Sequence, residues 1–368
     1  MRPRPPKGSG LLGAALGVVA VGAAVGLSAE RYAIGRTRLR PDPAAGEPFF
    51  ALPADRTRRV VASDGVPLHV EEVGPAGAEL TVVFLHGYSQ EMAGWHYQRK
   101  ALAEDNPGRL VFYDQRSHGR SGRGAVAGAT IEQLGRDLGT VLDAVAPRGP
   151  VVLVGHSMGG MTMMSLAQER PELFGSRVVG AALVATSPGR LAELTFGLPS
   201  GLRHVTRAVL PVLTRGIQRR PAPFERGRRL GSDLAFLVAR RTAFGDPGTS
   251  PALVQLVEQM AANTPLDVMA EFYDTLSTHD KLEALAVLRQ VETLVLVGSE
   301  DVVTPPDHSR AMSELLPDAT LVVVEGAGHM VQLERPDLVT AELRSLVGRV
   351  GAPSAAASRA GRAATPRA

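Results

Sequence analysis

One run of ten residues, from Val151 to Gly160, constrains the fold of this chain more than any other part of the sequence. It opens with Val-Val-Leu-Val, and four apolar residues without polar alternation are typical of a strand buried on both faces of a parallel sheet. The strand leads directly into Gly-His-Ser-Met-Gly, which matches the G-x-S-x-G pattern of a tight turn between a strand and a helix. In such a turn the central Ser157 has a strained backbone, and Gly155 and Gly159 leave room around it.

Ser157 is the candidate nucleophile of the chain. The run from Met161 to Ala167 has a helical pattern, so Ser157 would stand at a helix N-terminus. Free backbone N–H groups and the helix dipole stabilise negative charge at that position. A glycine-rich turn that contains a serine is the simpler alternative. The buried strand before the serine and the helical pattern after it favour the nucleophile.

Strand and helix patterns alternate along most of the chain. Besides the strand before Ser157, runs typical of strands lie at 58–63, 68–73, 80–85, 110–113, 178–185, 291–297 and 320–324, and helical patterns lie at 95–104, 131–145 and 336–350. The Asp64-Gly65 turn predicts that the first two strands form a hairpin. This alternation predicts an α/β fold with a mostly parallel sheet of about eight strands and helices on both faces.

The alternation stops between residues 190 and 285. This stretch has helical patches, several prolines, more arginines than acidic residues and no convincing buried strand. We interpret it as a helical cap inserted over one end of the sheet. The predicted core then comprises 57–189 and 286–350. A linker at 41–56 precedes the core, and a disordered Ala/Ser/Pro/Arg-rich tail at 351–368 follows it.

The first 40 residues predict a membrane segment. A basic start is followed by residues 11–29, which carry no charge and are about long enough to cross a bilayer as a helix. We therefore expect an N-terminal apolar helix that acts as a single-pass anchor and brings membrane association. Four arginines between residues 31 and 40 favour a cytoplasmic catalytic domain. Two alternatives are secretion after cleavage of a signal peptide and a helix packed on the protein itself.

Composition excludes several classes of function. The 368 residues contain no cysteine, which excludes disulfides, thiolate metal sites and a cysteine nucleophile. A formal net charge of +3 is small for this length, so we expect no nucleic-acid partner. There is no dinucleotide fingerprint and no phosphate loop, and we predict neither a cofactor nor a metal. Asp114, Arg116 and His118 are interpreted as a network that braces a loop.

A serine nucleophile needs a base and a carboxylate that orients the base, and the sequence supplies both after buried strands. Asp301 follows the strand at 291–297, and His329 follows the strand at 320–324. Because the carboxyl ends of parallel strands point the same way, residues remote in sequence converge there. We therefore predict a Ser157–His329–Asp301 triad. Glu300 is the rival acid, and we prefer Asp301 for its place in the loop.

Two backbone N–H groups are predicted to form an oxyanion hole. One belongs to Met158, immediately after the nucleophile, and the other to Tyr88 in the loop after the strand at 80–85. In the same loop His86 is interpreted as structural, with Gly87 beside it. His156 flanks the nucleophile and is expected to pack rather than react.

Together these motifs resemble the α/β-hydrolase superfamily. The residues that carry the resemblance are His86-Gly87-Tyr88, Asp114…Arg116…Gly119…Ser121, Gly155-His156-Ser157-Met158-Gly159-Gly160, Gly298…Asp301 and Gly326…His329. The resemblance implies a capped serine hydrolase without a cofactor. The Gly-His-Ser-Met-Gly-Gly elbow is similar to those of monoacylglycerol lipases and carboxylesterases, and also to those of carbon–carbon bond hydrolases.

The expected activity is cleavage of a small-molecule or lipid-derived carboxylic ester through an acyl-enzyme. Carbon–carbon bond, thioester or lactone hydrolysis on the same triad is the alternative. A second alternative is a non-catalytic ligand-binding or membrane protein that keeps the hydrolase fold.

Overall fold

An eight-stranded sheet organises the computed structural model, which describes residues 42–189, 214–230 and 232–351, without the side chains of 226–230 and 232–237. The strands are β1 (Arg56–Val61), β2 (Pro67–Val73), β3 (Thr81–Leu85), β4 (Arg109–Tyr113), β5 (Val151–His156), β6 (Val178–Val184), β7 (Glu292–Gly298) and β8 (Thr320–Val324). Their spatial order is β1-β2-β4-β3-β5-β6-β7-β8. β1 and β4 pair with β2 in antiparallel fashion, and every other pair is parallel. The predicted mostly parallel sheet of about eight strands is confirmed.

Both faces of the sheet are covered, which explains the apolar runs without alternation. In β5, Val151 and Leu153 belong to a core cluster on one face, and Val152 and Val154 belong to a second cluster on the other. Successive side chains of a strand point to opposite faces, so a strand with helices on both sides must be apolar at every position.

The helices lie between and after the strands along the chain and are numbered in chain order. They are α1 (His96–Asp105), α2 (Ile131–Val145), α3 (Met158–Glu169), α4 (Pro221–Leu230), α5 (Ser232–Ala243), α6 (Pro251–Asn263), α7 (Leu266–Ser277), α8 (Leu285–Leu288), α9 (Pro306–Leu315), α10 (Val331–Glu334) and α11 (Pro336–Gly351). α2 and α3 contribute to the cluster on one face of the sheet, whereas α1 and α11 contribute to the cluster on the other. Thr130 caps α2, because its hydroxyl accepts a hydrogen bond from the Gln133 N–H at 3.1 Å.

The helical insertion predicted between the sixth and seventh strands is present. Helices α4 to α7 all lie between β6 and β7, and the stretch 190–213 lies outside the described residues. On α7, Val268 and Phe272 pack in one apolar cluster with Met158 and Met161 at the start of α3. The inserted helix α7 therefore shares an apolar cluster with the residue that follows Ser157.

A short piece of chain forms a separate unit, composed in the described residues of 42–46 and 250–252. Within it the Asp42 carboxylate accepts hydrogen bonds from the Ser250 hydroxyl at 2.5 Å and from the Ala252 N–H at 2.8 Å. These hydrogen bonds lower the pKa of Asp42 although burial opposes them.

The prediction of a single-pass membrane localisation is corrected. Across residues 42–189, 214–230 and 232–351, no helix is long and apolar enough to cross a membrane. The longest helix of these ranges, α11, has 16 residues, whereas a spanning helix needs about 20. The apolar segment 11–29 lies outside the described residues.

Candidate active site

Ser157 occupies a sharp turn between β5 and α3. Its backbone has φ 52° and ψ −118°, a combination that a residue with a side chain adopts only at a cost of about 1–3 kcal/mol. Hydrogen bonds on both sides hold the turn: the Ser157 N–H donates to Val184 O at 3.0 Å, and the Thr186 hydroxyl donates to Ser157 O at 2.7 Å. The surrounding structure therefore holds Ser157 in its strained backbone conformation.

The two glycines of the turn are required by close backbone approach. A Cβ atom on Gly155 would lie 2.6 Å from the carbonyl carbon of Gly159, and one on Gly159 would collide with Leu85 O in the neighbouring strand β3. Contacts this short do not occur between real Cβ atoms and backbone atoms. Any larger residue at either position would displace Ser157 or β3.

Asp301 lies in the loop that follows β7 and is almost fully buried, with 2% of its surface exposed. Its Oδ1 accepts hydrogen bonds from the N–H groups of Val303 and Thr304, both at 2.8 Å. Its Oδ2 accepts one from the Thr304 hydroxyl at 2.8 Å and lies 2.9 Å from Nδ1 of His329. Burial alone would raise the pKa of this carboxyl. Attraction to the protonated form of His329 and these hydrogen bonds outweigh burial and lower it.

His329 lies in the loop after β8, and its ring is oriented by Asp301. A carboxylate can only accept, so Nδ1 of His329 carries the proton and Nε2 is the basic nitrogen of the neutral ring. Glu300, the rival acid, is exposed, and its Oε1 accepts from the Ser299 hydroxyl at 3.3 Å. The structure thus brings Asp301, and not Glu300, to the imidazole.

His156 connects the serine turn to the His329 loop. Its Nε2 donates to the backbone carbonyl of His329 at 2.9 Å, and the two rings have centroids 4.8 Å apart. Its Nδ1 lies 3.1 Å from Oε1 of Gln90, and that oxygen accepts from the Gly87 N–H at 3.2 Å. Burial and the nearby His329 lower the pKa of His156 to about 3, so the ring is neutral. His329 therefore lies beside the residue that precedes Ser157.

The loop after β3 is held by His86. Its Nε2 accepts from the Gln115 N–H at 2.9 Å, which leaves the proton on Nδ1, 2.8 Å from Gly87 O. Burial lowers the pKa of His86 to about 4. Next to it, the Tyr88 hydroxyl donates to Met269 O on α7 at 2.6 Å. The Tyr88 ring packs against the apolar cluster that contains Met158.

Met158 is the first residue of α3 and is completely buried. The N–H groups of the first helical turn have no acceptor within the helix. The Met158 N–H therefore belongs to a position suited to bind an anion next to Ser157. Tyr88, the other predicted oxyanion-hole residue, packs against the cluster to which Met158 belongs.

This arrangement can be compared with known proteins. A family model described as the alpha/beta hydrolase family matches residues 82–342, which is more than half of the chain. The chain belongs to the α/β-hydrolase family. A solved thermophilic esterase from Thermogutta terrifontis has the same fold, with a TM-score of 0.63, 24% identity, and coverage of 80% of this chain and 99% of that chain.

Curated relatives of this α/β hydrolase have different activities. The chain is 27% identical over 265 residues to the sn-1-specific diacylglycerol lipase ABHD11 of Mus musculus, with 69% of this chain and 76% of the relative covered. It is 28% identical over 298 residues to the non-heme chloroperoxidase of Streptomyces lividans, with 78% and 98% covered. The family and its hydrolase fold are therefore established, while the substrate has to be argued from the site.

Asp114, Arg116 and His118 brace the loop after β4 in this α/β hydrolase. Asp114 accepts from the N–H groups of Met92 and Arg120 at 2.9 and 2.8 Å. The buried Arg116 guanidinium forms paired hydrogen bonds to Asp137 at 2.6 and 2.7 Å, and Nδ1 of His118 lies 2.9 Å from Arg116 O. All three side chains thus form hydrogen bonds to other groups of the protein, and these bonds hold the loop in place.

Sequence reasoning missed two polar residues of the site, Thr304 and Gln90. The Asp-x-x-Thr spacing from 301 to 304 was an available signal for Thr304, since an Asp side chain often binds backbone N–H groups two and three residues later. Gln90 had no such signal. Its contact with His156 joins residues 66 positions apart.

Proposed function

We propose that this α/β hydrolase cleaves carboxylic esters with Ser157 as the nucleophile, His329 as the base and Asp301 as the residue that orients His329. One observation carries the proposal. A buried carboxylate lies 2.9 Å from the imidazole of His329, and His329 in turn contacts the residue before a strained serine at a helix N-terminus. These are the parts that serine-dependent acyl transfer needs.

In the first half of the proposed reaction, Nε2 of His329 takes the Ser157 hydroxyl proton as Oγ attacks the ester carbonyl carbon. The N–H groups of Met158 and Tyr88 stabilise the resulting oxyanion. The tetrahedral intermediate collapses when the bond from carbon to the alcohol oxygen breaks and His329 donates its proton to that oxygen. The products of this half are the alcohol and an acyl-Ser157 ester.

Water completes the cycle in the second half. His329 takes a proton from a water molecule, whose oxygen attacks the acyl carbonyl at the same oxyanion site. His329 then returns the proton to Ser157 Oγ as the carboxylic acid leaves. Throughout, Asp301 stays ionised and stabilises the imidazolium that forms in each half, in keeping with the lowered pKa of its carboxyl.

An apolar cluster surrounds the start of α3, next to Ser157. Met158, Met161, Val268 and Phe272 are buried members of it, and Tyr88 packs against it. The cluster supports the turn that carries Ser157, and the preferred length of the acyl chain is an outcome of the substrate series below.

The test is hydrolysis of p-nitrophenyl acetate, butyrate and decanoate by the wild-type protein and by Ser157→Ala. We expect Ser157→Ala to lose at least about a thousandfold in kcat, and the order of kcat/KM among the three esters gives the acyl length that the site prefers. A fluorophosphonate probe should label the wild-type protein at Ser157. Equal rates for the two proteins would remove Ser157 from the mechanism.

The same panel includes a thioester, a lactone and a vinylogous keto acid. Preference for one of these would keep the triad and change the substrate class. A folded protein that neither labels nor hydrolyses any member of the panel would contradict enzymatic function and favour a ligand-binding role.

A further inference from the structure

A buried glutamate, Glu334, joins the His329 loop to the inserted helical region. It ends the short helix α10 and is 9% exposed. Its Oε2 accepts hydrogen bonds from the N–H of Gly328 at 2.7 Å and from the N–H of Gly245 at 3.2 Å. Its Oε1 accepts from the N–H of Asp246 at 2.6 Å. A single carboxylate therefore binds the residue before His329 and two residues of the segment that follows α5.

The two chain segments also touch directly. The Met330 N–H donates to Ala243 O at 2.7 Å, so the residues on both sides of His329 are attached, directly or through Glu334, to the segment 243–246. A Cβ atom on Gly328 would lie 2.5 Å from Gly245 N. The two backbones are thus packed as closely as glycine permits, and a shift of one segment displaces the other.

His329 and its two neighbours are held from different sides. Asp301 binds Nδ1 of the ring, and His156 binds the backbone carbonyl. The N–H groups of the residues before and after His329 donate to Glu334 and Ala243, while further back the Ala327 carbonyl accepts from the Glu300 N–H at 2.9 Å. Hydrogen bonds to a charged acceptor are roughly twice as strong as neutral ones, so Glu334 is the stronger of these two attachments.

We propose that Glu334 is a positioning residue for His329. Its carboxylate fixes the backbone of the His329 loop against the segment 243–246, and this holds the imidazole in the orientation required for proton transfer. The proposal rests on the function proposed above, since it assigns Glu334 to the service of His329. It also makes the inserted region part of the catalytic geometry, because the same carboxylate binds both segments.

The test is Glu334→Gln, which keeps the size of the side chain and replaces one oxygen by an NH₂ group. Both carboxylate oxygens face backbone N–H donors, so either orientation of the amide turns a donor toward a donor. A small displacement of a catalytic group can cost about a hundredfold in rate. We expect kcat for p-nitrophenyl butyrate to fall about 10- to 100-fold, with KM changed by less than about twofold.

The matched control is Glu271→Gln. Glu271 is on α7, and its side chain is 6% exposed. Its Oε1 lies 2.6 Å from a guanidinium nitrogen of Arg123, which belongs to the core. It therefore also links the inserted helices to the core through a mostly buried carboxylate, but it has no contact with the His329 loop among the described hydrogen bonds. We expect Glu271→Gln to change the melting temperature and to leave kcat within about twofold of wild type.

A spectroscopic readout separates positioning from stability. The Nδ1 proton of His329, shared with Asp301, should give a low-field proton resonance that is identified by its loss in Asp301→Asn. We expect Glu334→Gln to shift or broaden this resonance, and Glu271→Gln to leave it in place. A purely structural role of Glu334 would lower the melting temperature and leave the resonance unchanged.

Glu334→Asp is the second variant, since it keeps the charge but is too short to reach both segments. Wild-type kcat in whichever of the two variants folds overturns the proposal. Failure of both to fold also overturns it, because the carboxylate would then serve stability. Failure of the proposed function is distinguishable from either result, since Ser157→Ala or His329→Ala would then retain ester hydrolysis.

Discussion

Nδ1 of His329 lies 2.9 Å from Oδ2 of Asp301, and the two residues occupy loops at the ends of different strands, β8 and β7. Three hydrogen bonds from Val303 and Thr304 satisfy the rest of the carboxylate. The carboxylate is thus ionised, hydrogen-bonded through both oxygens and shielded from water. This pairing decides which ring nitrogen of His329 is basic, and it is the feature on which the proposed chemistry most depends.

Asp301→Asn should therefore be severely impaired although the side chain keeps its size. The asparagine amide can donate to Nδ1 and favour the wrong tautomer of His329. We expect kcat for ester hydrolysis to fall about 10³- to 10⁴-fold, as for loss of the acid in other triads. The measurement is steady-state hydrolysis of p-nitrophenyl butyrate.

Glu300→Gln is the control for that prediction. Glu300 is the adjacent acid but is exposed, and we expect its variant to retain wild-type kcat within about twofold. The opposite pattern, with Glu300→Gln inactive and Asp301→Asn active, would exchange the two assignments.

The strained backbone of Ser157 predicts a difference in stability between two inactive variants. Ser157→Ala keeps a Cβ atom at φ 52°, whereas Ser157→Gly removes it. In the folded state the glycine variant is relieved of strain worth about 1–3 kcal/mol. In the unfolded state glycine has more conformational entropy, which offsets about 0.5–1 kcal/mol of that gain. We expect the glycine variant to have the larger free energy of unfolding, by about 1 kcal/mol, in urea denaturation.

Because neither variant has the hydroxyl, activity does not complicate the comparison. Ser165, a buried serine within α3, supplies the reference. Since its position is helical, Ser165→Gly should be less stable than Ser165→Ala by about 1 kcal/mol. Equal stabilities of the two Ser157 variants would show that the turn is not strained.

The sequence predicts Ser157, Asp301 and His329 because each lies within five residues of the end of an apolar strand, although β8 itself is only partly buried at the edge of the sheet. Runs of apolar residues identify such strands to within about two residues, as with Val151–His156 and Thr320–Val324. The α/β fold, the sheet and the helical insertion follow from the same signal.

The order of the strands and the links between loops are not predictable in this way. β4 lies between β2 and β3, although β3 precedes it in sequence, and all parallel strands are about equally apolar. Glu334 contacts Asp246 across 88 residues, and no local pattern encodes such a contact. The membrane localisation is predicted from the uncharged run 11–29, its length and the basic residues on either side, and none of the described helices is long enough to cross a membrane.

Tyr88→Phe should separate the backbone role of Tyr88 from its side chain. The proposed oxyanion donor is the backbone N–H, which the substitution leaves in place. The hydroxyl instead donates to Met269 O on α7 at 2.6 Å. We expect kcat within about twofold of wild type, and a loss of about 0.5–1.5 kcal/mol in the free energy of unfolding. A hundredfold loss of kcat with unchanged stability would place the hydroxyl itself in the reaction.

Because several histidines are buried, we expect the free energy of unfolding to fall in mild acid. Burial lowers the pKa of His118 from 6.5 to about 3, so between these values the unfolded chain binds a proton that the folded chain does not. The free energy of unfolding therefore falls as pH drops below about 6.5, by up to about 1.4 kcal/mol per pH unit for this residue. His86 and His156 act in the same direction, with pKa values of about 4 and 3.

His118→Gln isolates one of these contributions. It removes a ring that lies 5.4 Å from the Phe272 ring and so lowers stability by a constant amount, but it also removes one titrating group. The measurement is the free energy of unfolding in urea between about pH 7.5 and 5. This free energy should fall less steeply with falling pH in the variant than in wild type, and near pH 5 the slopes should differ by close to one bound proton. If the two free-energy curves run parallel, His118 takes up its proton in the folded chain as readily as in the unfolded chain. That protonation would require a negatively charged or accepting partner for Nε2, which has no partner among the described residues.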